Sequence, residues 1–165
     1  MHQMMKITTL AATLLLAASA TRPAPLPGET ADVVQAKLGK PTSVYVGDDG
    51  ARSLEYATGP MGQYTWMARL GPDGRLTAYE QVLTGEKFAT LKVDQATKEQ
   101  VLRTIGRPAE RSRVAMQNYE VWSYRYKEAG VWNSLMHVHF DEGGVVRQMM
   151  NGPDPMYEPR DRSSW

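Results

Sequence analysis

The sequence predicts an α+β protein of two tandem units, each a helix followed by a three-stranded antiparallel meander, with the helices on one face of the sheet. Three observations carry this. The run Thr30–Pro41, TADVVQAKLGKP, aligns without a gap to Thr97–Pro108, TKEQVLRTIGRP. After each run the apolar period changes from the helical 3.6 to the strand period of two. Turn-forming glycines then punctuate the strands in the same order in both halves.

Each aligned run reads as a helix with the same start and stop. Threonine stands at the N-cap, where its hydroxyl can accept from an amide that the helix leaves unpaired, and Thr97 with Gln100 completes a capping box that Thr30 lacks. Gly39 and Gly106 are placed to end the helices with a positive φ, and Pro41 and Pro108 prevent their resumption. Val34 with Leu38, and Val101 with Ile105, are spaced four apart and make one apolar stripe on each helix.

The strands follow. In the first unit they are expected at Ser53–Ala57, Tyr64–Leu70 and, after the turn Gly71-Pro72-Asp73-Gly74, Arg75–Leu83. In the second they are expected at Val121–Lys127, Leu135–Phe140 and, after Asp141-Glu142-Gly143-Gly144, Val145–Met150. A short helix capped by Thr84, with Phe88 and Leu91 as its buried points, makes the second unit ααβββ. The domain reading is 30–83 for the first unit and 84–153 for the second. Units of roughly 65 residues are marginal alone, so the two are expected to share a core.

The N-terminus reads as an export signal over residues 1–20: a short basic start through Lys6, an apolar run from Ile7 to Ala18, and the small-residue site Ala18-Ser19-Ala20. The apolar run is shorter than the roughly 20 residues that span a bilayer. Residues 21–29 are a proline-rich tether, and residues 154–165, rich in Pro, Arg, Asp and Ser, are expected to be a disordered tail. Leu16-Ala17-Ala18-Ser19 has the form of a lipobox in which Ser19 stands where a lipidated cysteine would be, and serine cannot form the thioether. N-terminal sequencing and intact mass of the exported protein should therefore find Thr21 first and no acyl mass.

Composition excludes several functions. Nineteen basic residues against eighteen acidic ones, without a block of either, give no reason to expect nucleic acid. The absence of cysteine removes disulfides, thiolate metal sites and cysteine nucleophiles. No G-x-S-x-G elbow is present, and the glycine-rich segments Gly59–Gly62 and Gly143-Gly144 do not open a helix after a strand, as a phosphate loop does. The reading is a non-enzymatic protein with no cofactor.

The capped helix ending in I-G-R-P, an aromatic strand, and a strand ending F-D-E-G-G-V-V together resemble the BamE/SmpA/OmlA family of small outer-membrane lipoproteins. Thr97, Glu99, Val101, Gly106, Pro108, Trp122, Tyr124, Phe140, Asp141, Gly144, Val145 and Val146 carry the resemblance, which is best over Val93–Met150 and fainter over Thr30–Leu83. It implies a periplasmic or outer-membrane location and envelope partners, the β-barrel assembly machine among them. The family commonly has one such unit and a lipid anchor. A tandem ααβββ pair is similar to the proteinaceous β-lactamase inhibitors, which keeps a secreted inhibitor or ligand-binding module as the alternative.

Period-two alternation assigns the faces of the second sheet. Trp122, Tyr124, Tyr126, Met136, Val138 and Phe140 are expected to fill the core, which leaves Arg125, His137, His139 and Arg147 on the uncovered side. In the first sheet Glu55, Thr65, Met67 and Arg69 are expected on the corresponding open face. Trp132, at a hairpin tip, is a further anchor of this protein-binding surface. Two histidines on one strand face could reach one zinc, as a metal-dependent enzyme would need, but zinc takes three or four ligands and the remaining histidine, His2, lies in the leader. No metal site is assigned.

Overall fold

The computed structural model describes residues 23–158. The leader with Ser19 and the tail from residue 159 lie outside the described residues. Helix α1 (Ala31–Leu38) precedes β1 (Ser43–Val46), β2 (Arg52–Ala57), β3 (Thr65–Leu70) and β4 (Leu76–Gln81). Helices α2 (Gly85–Thr90) and α3 (Lys98–Ile105) then precede β5 (Glu110–Val114), β6 (Tyr119–Glu128), β7 (Trp132–Phe140) and β8 (Val146–Pro153). Both sheets are antiparallel, and strand order follows the chain in each.

The α+β class is as expected, but each sheet has four strands where the sequence suggested three. The additional strands are β1 and β5, both at sheet edges. Strand β5, ERSRV, has no buried residue. Its side chains give no alternating apolar signal, and it exists because its backbone pairs with β6 from Glu110↔Ser123 to Val114↔Tyr119. Its charges also suit an exposed edge, since they discourage pairing with another chain.

Local chemistry explains the helix ends. Thr97 Oγ1 accepts from Gln100 N at 3.3 Å while the Gln100 side chain accepts from Thr97 N at 2.9 Å, closing the capping box. Thr84 caps α2 through Lys87 N, whereas Thr30 makes no side-chain cap bond. Gly39 and Gly106 have φ near +85 and ψ close to extended: +88 and −168 for the first, +82 and −164 for the second. That region is essentially glycine's alone, a stricter requirement than the left-handed helical cap expected from sequence.

The surroundings of the two glycines differ. A Cβ on Gly39 would meet nothing, but one on Gly106 would lie 3.0 Å from the Glu55 carboxyl carbon and 3.2 Å from Thr65 Cγ2. Gly39→Ala should therefore cost about 1–3 kcal/mol from backbone strain alone, and Gly106→Ala should cost more than Gly39→Ala. Denaturant titration of the two variants measures the difference; equal losses would show that Glu55 and Thr65 give way freely.

The apolar stripes meet their sheets as the spacing predicts. Val34 packs with Leu54, Ala68, Leu70 and Leu76 on one face of the first sheet. Phe88, Val101 and Ile105 pack with Trp122, Tyr124, Tyr126, Val138, Phe140 and Val146 on one face of the second. The edge of Phe88 meets Tyr126 at a centroid distance of 4.9 Å. This second cluster is the larger, consistent with its two covering helices.

Opposite α1, the first sheet is not open. Glu55 and Met67 are fully buried and Thr65 is nearly so. The C-terminal end of α3 covers them: Arg69 donates from Nη2 to Thr104 O at 2.9 Å and from Nη1 to Arg103 O. Carbonyls at a helix C-terminus lack intrahelical donors, and a guanidinium both satisfies them and complements the helix dipole. Nε donates to Glu80 Oε1, and Nη1 donates to Ser53 Oγ as well. The expectation that Glu55, Thr65, Met67 and Arg69 line an exposed face is thus corrected: that face is where the second unit docks. A bond from Gln63 Nε2 to Asn133 Oδ1 at 2.9 Å ties the units at a second point.

Two segments read from sequence as tether and tail are held by hydrogen bonds where they meet the units. Gly28 N donates to Leu76 O and Leu76 N to Glu29 O, so the end of the proline-rich tether lies beside β4. Asp154, expected to begin a disordered tail, is 1% exposed. Its carboxylate receives Arg125 Nη1 at 2.5 and 2.6 Å and Met156 N at 3.1 Å.

Candidate functional site

The side of the second sheet away from α2 and α3 brings together Arg125, His137 and His139, half of the predicted surface. Register places Ser123 beside His137 and Met150, Val121 beside His139 and Gln148, and Arg125 beside Leu135 and Gly152. Paired residues share a face, so Arg125, His137 and His139 lie together as alternation requires. His137 Nδ1 is 2.8 Å from Ser123 Oγ, and the His139 ring meets Tyr119 edge-on at 6.4 Å between centroids. Val121, Ser123 and Leu135 are buried between these larger neighbours, while Gln148 and Met150 are exposed. The result is a mixed aromatic and polar surface.

Arg147 does not join it. The β7–β8 register shifts between His139 and Phe140, so His139 pairs with Gln148 and Phe140 with Val146. Arg147 is the extra residue of this bulge, and strict alternation fails there. Its guanidinium bonds Asp141 and, in the α2–α3 connection, Asp94, each at 2.7 Å. Trp132, at the start of β7, is 69% exposed and adjoins the equally open Val131.

His139 titrates below the ordinary imidazole range, first because burial penalises its cation and then because His137 is close. A lowered folded pKa means that the unfolded chain binds this proton more readily. The stabilising contribution is present above the unfolded value of about 6.5 and is lost as pH falls through the folded value. Changing both histidines to glutamine should remove this pH dependence and alter stability near neutrality by no more than about 0.5 kcal/mol. Melts at pH 7.5 and 5.5 check it; a loss of several degrees at both would assign the pair a structural role. Among the described residues no three His, Cys, Asp or Glu side chains cluster as a metal site would need.

A second concave feature was not foreseen. The two units enclose a cleft of about 510 Å³, walled by the turn at Gly59, Pro60 and Gly62 on one side and by Arg107, Arg111 and Arg125 on the other. Glu55 lies at its floor, accepting from the Tyr45 hydroxyl and, at 3.4 Å, from Arg107 N. Burial and the adjacent Glu55 carboxylate push the Tyr45 hydroxyl well above the ordinary phenol range. Glu55 and Arg107 are far apart in sequence, and although Arg107 belongs to the I-G-R-P run that ends α3, nothing in that run points to Glu55. The only signal available was the charge of Glu55 within an otherwise apolar strand, SLEYA.

The crystal structure of a DUF4309 family protein (YjgB) from Bacillus subtilis subsp. subtilis str. 168 is 19% identical over 74% of this chain and 76% of its own, with a TM-score of 0.30, too low to assign a shared fold. No curated protein matches the sequence. The match that bears on the second unit spans residues 80–150, from the end of β4 through α2, α3 and the second sheet to Met150, and it is to the family described as the outer membrane protein assembly factor BamE domain. Over residues 80–150, which hold the capped helix α3 and the aromatic strand β6, the chain is therefore similar to the BamE domain family.

Proposed function

We propose that this protein is a non-enzymatic accessory of the cell envelope that supports outer-membrane protein assembly by binding other proteins on the periplasmic side of the outer membrane. The family match over residues 80–150 carries this reading. The first unit, with its own helix and meander of the same strand order, acts on this view as a second copy that buries its spare face against α3. The open face of the second sheet, centred on His137 and His139, is the docking surface, and the exposed Trp132 at the end of the β6–β7 hairpin, on the opposite face by alternation, extends it past the end of the sheet.

A half-exposed sheet carrying aromatic, imidazole and methionine side chains suits protein recognition, because its apolar area is desolvated on contact while its polar groups set the register. Arg69 and Arg147 have no part in it, since both are committed to intramolecular bonds. On this reading the N-terminal leader directs export and Ser19 leaves the chain without a lipid anchor, which fits a periplasmic location.

Crosslinked pull-down of the full chain from envelope membranes, with partners identified by mass spectrometry, tests the proposal. Enrichment of β-barrel assembly components is the expected result, with weaker enrichment when Trp132 is changed to alanine. Recovery solely with a secreted or periplasmic enzyme that the protein inhibits would replace this reading.

A further inference from the structure

We infer that the cleft between the two units is a docking site for an extended acidic segment of a partner protein, seated along the free edge of β6 and held by Arg107 and Arg111. The inference rests on the protein-binding reading above and names the chemistry of one partner.

Three observations converge. Strand β5 pairs with β6 only from Tyr119 to Ser123, and Ala109 N closes the ladder on Ser123 O. From Tyr124 onward β6 therefore has no strand on that side among the described residues, and Tyr124 and Arg125 line the cleft at that edge. An exposed strand edge presents backbone donors and acceptors in register for an added strand.

The charges are the second observation. Arg107 and Arg111 form no ion pair among the described residues, whereas Arg125 is matched by Asp154. Glu55, the cleft's own carboxylate, is buried and already accepts from Tyr45 and Arg107 N, which leaves the two arginines with positive charge in excess. The Arg111 guanidinium sits 4.6 Å from the Trp122 ring centroid, and stacking there orients its donor fork.

Third, Arg125 Nε is buried with no acceptor among the described residues. A buried donor without a partner is rare and costly, and a carbonyl or carboxylate entering beside β6 would satisfy it. Arg107 Nη2 reaches Thr42 O at 3.4 Å, but neither guanidinium has a counter-charge within salt-bridge distance among the described residues, so a neutral or basic segment gains no ion pair from them. An acidic one gains charge-assisted bonds with little competition from within the protein.

The test uses the full chain and a fluorescein-labelled peptide alternating Glu and Val, read by anisotropy, with a Gln and Val peptide as comparison. Saturable binding of the acidic peptide is expected, at least about tenfold weaker for the Gln peptide and for the R107Q/R111Q variant. R113Q, which alters an arginine of β5 outside the cleft, should bind like the parent, and amide exchange at Arg125–Lys127 should slow on binding.

Equal affinity for both peptides, unchanged exchange at Arg125–Lys127, or full competition by inorganic phosphate would overturn the inference. So would R107Q/R111Q abolishing binding to phosphatidylglycerol vesicles while leaving the peptide unaffected, which would make the cleft a lipid site. If R107Q/R111Q loses the peptide yet still recovers assembly components from envelope membranes, the cleft fails as the docking site while the accessory role stands.

Discussion

Phe140→Ala is expected to destabilise the protein by about 3–5 kcal/mol, the range for removing a fully buried phenylalanine ring. Phe140 has no exposed surface. Its ring lies 4.6 Å from that of Trp122, and the Lys98 ammonium, itself bonded to Glu120 at 2.6 Å, stands 5.6 Å above it. The residue therefore joins the last strand pair, the aromatic core and the first turn of α3. Truncation leaves a cavity that a sheet, braced by hydrogen bonds on both sides, collapses poorly to fill. Urea titration should show a lower midpoint with an unchanged slope. A loss below about 1 kcal/mol would mean that the core around α3 is plastic.

Asp154→Ala should cost about 3 kcal/mol or more, although it alters a residue at the edge of what looks like a dispensable tail. The Asp154 side chain is fully buried and that of Arg125 is 13% exposed. Removing the carboxylate leaves a largely buried guanidinium, whose Nε already lacks an acceptor among the described residues, without its counter-charge. Breaking such a pair from one side costs far more than the pair contributes in total. The double variant R125M/D154L, which replaces the pair with apolar side chains, should recover most of the loss. A single variant as stable as the parent would indicate that water reaches Arg125 freely. Truncation after Pro153 should mimic Asp154→Ala.

The two results bear on different levels of the structure. Phe140 was assignable to the core from alternation alone, since Met136, Val138 and Phe140 share a strand face and a period of two leaves no other arrangement. Asp154 was not. An acidic residue in a Pro-rich terminal segment has the composition of disorder, and only the proximity of Arg125 across the sheet makes its burial favourable.

A similar contrast separates Arg125, His137 and His139 from Arg147. All four follow from the same alternation, but the bulge at Phe140 shifts the register by one residue and sends Arg147 to Asp94 and Asp141. Bulges are set by how two strands meet at a turn, and neither strand's sequence states that by itself.

From the residues alone came the helix boundaries, the capping box at Thr97, the positive-φ stops at Gly39 and Gly106, and the partition of each long strand into two faces. These are local properties, decided by backbone sterics, by hydrogen bonds a few residues apart and by side-chain period. Only the tertiary structure decided what covers each face. The strands of the first sheet alternate as those of the second do, yet α3 docks on the face holding Glu55, Met67 and Arg69, while the face holding His137 and His139 stays open. Periodicity says which side chains travel together. What they meet depends on contacts between segments distant in sequence, where the orphaned carbonyls of α3 and the guanidinium of Arg69 satisfy each other only once both units are folded.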